Sequence, residues 1–222
     1  MSERPEVPVG YLGSQPKFAE LNLQTITHDS PEFSVDNNGE LEIKFKAPKA
    51  VKVTTNLINT KTDKEVSEYV FTQTKDKELH FVLVFPEAAY YKFQIFALEA
   101  SDESKSLPNV YNYLINVKDA IKAAYPFPKQ YAQWKDGCYL YSPLVLNAKT
   151  SLAKVEFKVY VPNAKALAIV AAGEWFHLTK KGENWEGTAA LSKHRGKDVK
   201  VTLNANYGGD ETKYATLLEY II

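Results

Sequence analysis

"EAAYYKF", residues 87 to 93, is the stretch on which the reading of the fold turns. An acid, Glu87, is followed by small Ala89, then by Tyr91 and by the apolar Phe93, each separated from the next by one unconstrained residue. A buried tyrosine must find a partner for its hydroxyl, and a corner of the chain just upstream supplies backbone groups within reach. The pattern therefore describes a strand that enters a core directly after a corner, with Tyr91 pinning that corner.

The surrounding chain reads as strands. In "ELEIKFKA" (40 to 47) Leu41, Ile43 and Phe45 alternate with charged residues, and in "AKVEFKVYV" (153 to 161) Val155, Phe157, Val159 and Val161 share a face. Further strands are expected at 51–58, 68–74, 78–85, 90–98, 109–117, 165–172, 197–206 and 214–222, most of them bounded by turn residues such as "DNNG", "TKDK" and "YGGD". Helical spacing is scarce, and its best candidate, "DAIKAAY" (119 to 125), runs into "PFP". About seven short strands per hundred residues, with the tyrosine pattern, point to an all-β protein of two tandem immunoglobulin-like antiparallel β-sandwich domains. Tyr91 then takes the tyrosine corner, and Phe93 stands where a disulfide cysteine would. The expected boundaries are 1–118 for the first sandwich, 119–130 for a linker and 131–222 for the second.

The halves resemble one another. In "LEIKFKAPKAVKV" (41 to 53) and "VEFKVYVPNAKALAI" (155 to 169) an alternating strand meets a proline, Pro48 or Pro162, and a second strand begins a few residues on. Ser30-Pro31 precedes the first pair as Ser142-Pro143 precedes the second, which a duplicated sandwich explains. The second half has no tyrosine in "HRGKDVKV", so its corner must close in another way.

Composition limits the chemistry. Over 222 residues, 27 lysines and arginines balance 27 aspartates and glutamates with no long block of either sign, so no nucleic-acid partner is expected. The single cysteine, Cys138, excludes an intrachain disulfide and suits a reducing compartment. The charged, proline-containing start is unlike a secretory signal, and no stretch approaches the eighteen or so apolar residues of a membrane span. A cytoplasmic location is expected. The four histidines, His28, His80, His177 and His194, stand singly without metal-ligand spacing, and neither a phosphate-binding glycine loop nor a nucleophile with an adjacent base is visible. No catalytic residue, metal or cofactor is assigned. A thiol enzyme built on Cys138 is the least favoured reading, because a free cysteine after a glycine turn is ordinarily a small buried hydrophobe.

The order of "VPVGYLGSQPKF", "THDSP" with "GELEIKF", "FPEAAYYKFQIFA", "SLPNVYNYLI", "GCYLYSP" and "VEFKVYVPNAK" resembles the paired domains that follow the transglutaminase-like core in the kyphoscoliosis peptidase and hillarin family. That resemblance implies immunoglobulin-like modules in a cytoskeleton-associated protein, with the family's catalytic centre in the upstream core. It also gives no catalytic role to Cys138. The chain is expected to be either a C-terminal fragment of a larger protein or a short relative without that core. The leading expectation is a non-enzymatic scaffold with protein partners, cytoskeletal ones among them, or a homo-oligomer formed through exposed edge strands such as "ELHFVLVF" and the C-terminal strand. The polar loop "SDESKSLPNV" (101 to 110) is a further contact candidate.

"GEWFHLTKKGENWEG" (173 to 187) carries the alternative. A strand, a turn and a second tryptophan are similar to starch- and glycogen-binding modules, which stack sugars on paired tryptophans, although Phe176 and His177 follow the first tryptophan here. Trp175, His177 and Trp185 are the candidate binding residues. Because Trp175 and Phe176 are adjacent in one strand they face opposite ways, and one tryptophan is expected in the core while another aromatic or His177 stays accessible.

Overall fold

The computed structural model describes residues 3–36, 40–120, 124–146 and 150–222. They form two compact units, Met1–Ala124 and Tyr125–Ile222. The strands of the first are β1 (Gly13–Ser14), β2 (Gln24–Thr25), β3 (Glu32–Val35), β4 (Leu41–Lys46), β5 (Val51–Asn59), β6 (Lys64–Glu65), β7 (Val70–Lys75), β8 (Glu78–Leu83), β9 (Ala89–Glu99) and β10 (Asn109–Val117), with a short helix α1 (Pro16–Glu20). Those of the second are β11 (Lys129–Gln130), β12 (Tyr139–Ser142), β13 (Val155–Tyr160), β14 (Ala166–Ala171), β15 (Glu174–His177), β16 (Thr179–Lys181), β17 (Asn184–Ala189), β18 (Val201–Asn206) and β19 (Ala215–Tyr220).

Each unit is a sandwich. In the first, one sheet runs β1-β10-β9-β5-β6 with β3 also on β10, and the other runs β2-β4-β8-β7. In the second the sheets are β11-β19-β18-β14-β15 and β12-β13-β17-β16. The prolines noted as a repeat do the same job twice. Pro48 lies between β4 and β5, and Pro162 between β13 and β14, where the chain leaves one sheet for the other. A residue that cannot donate to a ladder is at home between strands and not within them.

Tyr91 is fully buried, and its hydroxyl donates to the Glu87 carbonyl at 2.7 Å and accepts from the Glu87 N–H at 3.3 Å. Phe93 fills the disulfide position with a ring set edge-on to Phe81 at 5.7 Å, and Phe81 meets Phe45 at 5.3 Å. An aromatic chain thus joins the two sheets where a covalent bridge would otherwise do so. The last strands repeat a second device. The Tyr113 hydroxyl donates to the His28 carbonyl and the Tyr220 hydroxyl to the Pro143 carbonyl, each at 2.7 Å, so each half ties its Ser-Pro region to its final strand.

The structure departs from the sequence reading in several places. β3 pairs with β10 in parallel, not antiparallel, through Glu32 to Val35 against Leu114 to Val117. The strand expected at 197–206 begins only at Val201, because Gly196 and Asp198 take φ values of 70° and 55° that no strand accommodates. Ser67–Tyr69 is a 3-10 turn ahead of β7, and α1 went unforeseen. The helix considered at 119–125 falls largely on residues 121–123, outside the described residues. The segment read as a linker divides: Phe127 is buried and Lys129–Gln130 pairs with Glu219 and Leu218, so its end lies in the second unit. Finally, of the strands proposed as edges, β8 is central, between β4 and β7, and β19 is covered on its outer side in part, by β11 at Leu218 and Glu219.

The second corner closes without tyrosine. A 3-10 turn, Ser192–His194, takes its place, with the His194 N–H donating to the Leu191 carbonyl at 3.0 Å, the Arg195 guanidinium donating to the Thr150 carbonyl, and the His194 ring buried.

Candidate functional site

Between β14 and β15 the chain reverses on Ala172 and Gly173, at φ 49° and 80°. Positive φ at both central residues marks the hairpin turn whose twist matches that of the strands. The register that results sets Trp175 opposite Val170 and His177 opposite Ala168. Trp175 and His177 therefore stand on the outer face of the sheet, while Phe176 points to the opposite side and is partly buried.

Trp175 is 47% exposed. Its ring lies nearly parallel to His177, with centroids 6.0 Å apart and planes at 24°, and meets Tyr214 edge-on at 4.9 Å. Ala168 shares this face, opposite His177, and is 0% exposed. A small residue there lets the indole settle against the sheet as a fixed ledge. Beside the ledge, Thr216 Oγ1 donates to Asn204 Oδ1 at 2.8 Å, and Asn204 Nδ2 donates to Thr202 Oγ1 at 2.9 Å. Asn206 is occupied likewise, donating to the Asp210 and Lys213 carbonyls and accepting from the Gly208 N–H. These polar groups fix the surface by satisfying one another.

Trp185 does not join this face. After His177 the chain crosses sheets at buried Leu178, and β16 and β17 belong to the other sheet, where Trp185 is 6% exposed. Gly187 makes the crossing possible: a Cβ there would stand 2.7 Å from Leu178 Cδ2, 3.2 Å from Leu178 Cα and 3.3 Å from the His177 carbonyl oxygen. The two tryptophans read as a pair thus serve separately, one as core and one as surface. Tyr214, absent from the sequence reading, lies 39 residues beyond Trp175 with no local signal linking them; the alternating alanines at 166 and 168 were the one hint that an aromatic lies over that face.

At the near end of β15 the Glu174 carboxylate pairs with the Lys193 ammonium, and His194 Nε2 lies 3.5 Å away. The hydrogen bond from Lys193 holds the Glu174 carboxyl below its usual range. Glu186, on β17 of the other sheet, does not face it. Cys138 is 6% exposed with Sγ 3.8 Å from the Gln133 carbonyl, and burial, with Asp136 adding to it, pushes its thiol up to about 12. That shift is opposite to the activation of a nucleophile. His28 lies against Phe33 in the first unit with its ring tilted by 40°, and His80 lies 3.9 Å from Glu42 on the neighbouring strand. Among the described residues no three histidine, cysteine or acidic side chains gather as a metal site, and no helix is long and apolar enough to cross a membrane.

Two sandwiches in tandem, the first closed by a tyrosine corner, define a protein of the immunoglobulin-like class. The family model for the KY-like, immunoglobulin-like domain matches residues 7–128, and the chain belongs to that family. Among solved structures it is similar to the titin domains Z1Z2 in complex with telethonin, at 12% identity and a TM-score of 0.25, over 90% of this chain and 95% of that one. It is similar also to a chimeric titin Z1Z2 functionalised with an exogenous peptide from decorin, at 14% identity and a TM-score of 0.27, with the same coverage of both chains. Likeness at that level bears on neither partner nor activity. No curated protein matches the chain.

Proposed function

We propose that this protein is a non-enzymatic adaptor of the cytoplasm and cytoskeleton, whose second sandwich binds a protein partner through the Trp175 ledge. The observation that carries the reading is a half-exposed indole held between His177 and Tyr214 on a sheet face. Tryptophan and tyrosine dominate binding hot spots because they bury a large area at small cost in side-chain freedom. A ring already held against the sheet loses less freedom on binding than one that swings free.

The same ring could stack on a sugar, but a sugar site needs uncommitted donors and acceptors beside the platform. Here Asn204 and Asn206 are spent on internal hydrogen bonds. Trp185, the second member of the expected pair, is core. Protein binding is accordingly the preferred reading.

The test is a comparison of wild type with Trp175→Ala in cross-linking pull-downs from native lysate, with a glycan array run on both proteins. A defined set of proteins retained by wild type and lost by the variant supports the proposal. Identical sets for both proteins, or retention of glycans alone, would overturn it.

A further inference from the structure

The first unit holds an open sheet edge on β5. Its neighbour β6 pairs only with Ile58 and Asn59, and protection ends at Leu57, whose carbonyl accepts from the Val66 N–H at 2.7 Å and whose N–H donates to Ser67 Oγ at 3.1 Å. Val51 to Asn56 continue the strand beyond that cover, paired on one side with β9.

The direction of each backbone group follows from the ladder. The Ala100 N–H donates to the Ala50 carbonyl and the Thr60 N–H to the Tyr90 carbonyl, so even-numbered residues turn their peptide groups toward β9. Leu57, odd-numbered, turns its groups outward. By alternation Val51, Val53 and Thr55 present N–H and C=O groups to the open side. Among the described residues the only group that meets this row is the Asn56 amide, which donates to the Thr55 carbonyl once its O and N are interchanged and leaves that oxygen a second lone pair.

We infer that two copies of the chain associate by antiparallel pairing of β5 with β5 about a two-fold axis at Val53. In that register Val53 exchanges two hydrogen bonds with its mate, and Val51 meets Thr55 on either side, all β-branched pairs suited to a sheet. On the outer face each Lys52 stands opposite Thr54 of the other copy, so no like charges face one another. Lys52 is moreover drawn aside, its ammonium bonding the Asp102 carbonyl and, at 3.2 Å, the Ser104 carbonyl. Edges that avoid pairing carry charges directed at the open side. Another edge of this unit, β7, has that protection: it ends on Lys75 and turns through Asp76 and Lys77. With 27 charges of each sign per chain, two copies meet without net repulsion. The pairing does not involve Trp175 and stands apart from the ledge proposal.

The register can be read by sedimentation velocity over a concentration series reaching the millimolar range. Thr54→Glu puts a carboxylate opposite Lys52 of the mate twice per dimer and tightens association about fivefold, and Thr54→Lys loosens it by a similar factor. Val53→Pro removes an outward N–H without touching the β9 ladder and abolishes the dimer, while Thr72→Pro, the matching change on β7, leaves it intact. Thermal melts of each variant at monomer concentration verify that the unit still folds. A chain that stays monomeric as both wild type and Thr54→Glu, or a dimer lost with Thr72→Pro and kept with Val53→Pro, would overturn the inference.

Discussion

Replacing Tyr91 by phenylalanine removes one oxygen and nothing else from the first core. That oxygen holds both backbone groups of Glu87, the carbonyl at 2.7 Å and the N–H at 3.3 Å. The shorter bond contributes about 1 kcal/mol net, and stranding a half-covered carbonyl costs about 1 more, so the variant loses about 2 kcal/mol. For a sandwich of this size that lowers the first unit's midpoint by about 10 °C. Differential scanning calorimetry follows it, with Tyr90→Phe as control, since that neighbour faces the other way. The hydroxyl also has a pH signature. Burial pushes it from the usual 10.0 to about 12, so the folded state favours the neutral form: its contribution is whole below pH 10 and drains away between about 10 and 12. Tyr113 and Tyr220 are raised as well, so this window is read from the difference between wild type and variant, which narrows as pH rises through it. A Tyr91→Phe protein whose first transition matches the control would refute the idea that the corner is held by this hydroxyl.

Trp185→Ala, which empties a core position, costs the second unit about 3–5 kcal/mol, whereas Trp175→Ala leaves urea unfolding within about 1 kcal/mol of wild type. Equal losses for the two would contradict the division of labour between them. Cys138, with its thiol pushed up to about 12, reacts with a disulfide reagent at neutral pH far more slowly than in the chain unfolded by urea; labelling at the unfolded rate would mean that the segment opens freely.

Alternation was enough to find the long strands, because a half-buried strand such as β4 declares its inner face at every second residue. The corner was legible for a similar reason, as Tyr91 and Phe93 must point inward two residues apart. Strands of two residues leave no period, so β1, β2, β6 and β11 were invisible. Sheet membership was invisible too: Trp175 and Trp185 read as neighbours across a turn because nothing in "HLTKKGENW" says that Leu178 carries the chain through the core to the other sheet. The ledge needed Tyr214, which only the folded β18–β19 connection brings to Trp175. The open edge of β5 was likewise beyond reach, because it depends on where β6 stops pairing.

The parallel pair β3 and β10 has a mechanical consequence. Tension drawing the two ends of the first unit apart pulls β3 from its start and β10 from its finish, which slides the strands lengthwise and loads the bonds of four residue pairs together once the two-residue β1 and β2 have peeled away. In the second unit β11 meets the last strand as β1 does in the first, antiparallel and over two residues, so the same tension opens its bonds one after another, as a zipper opens.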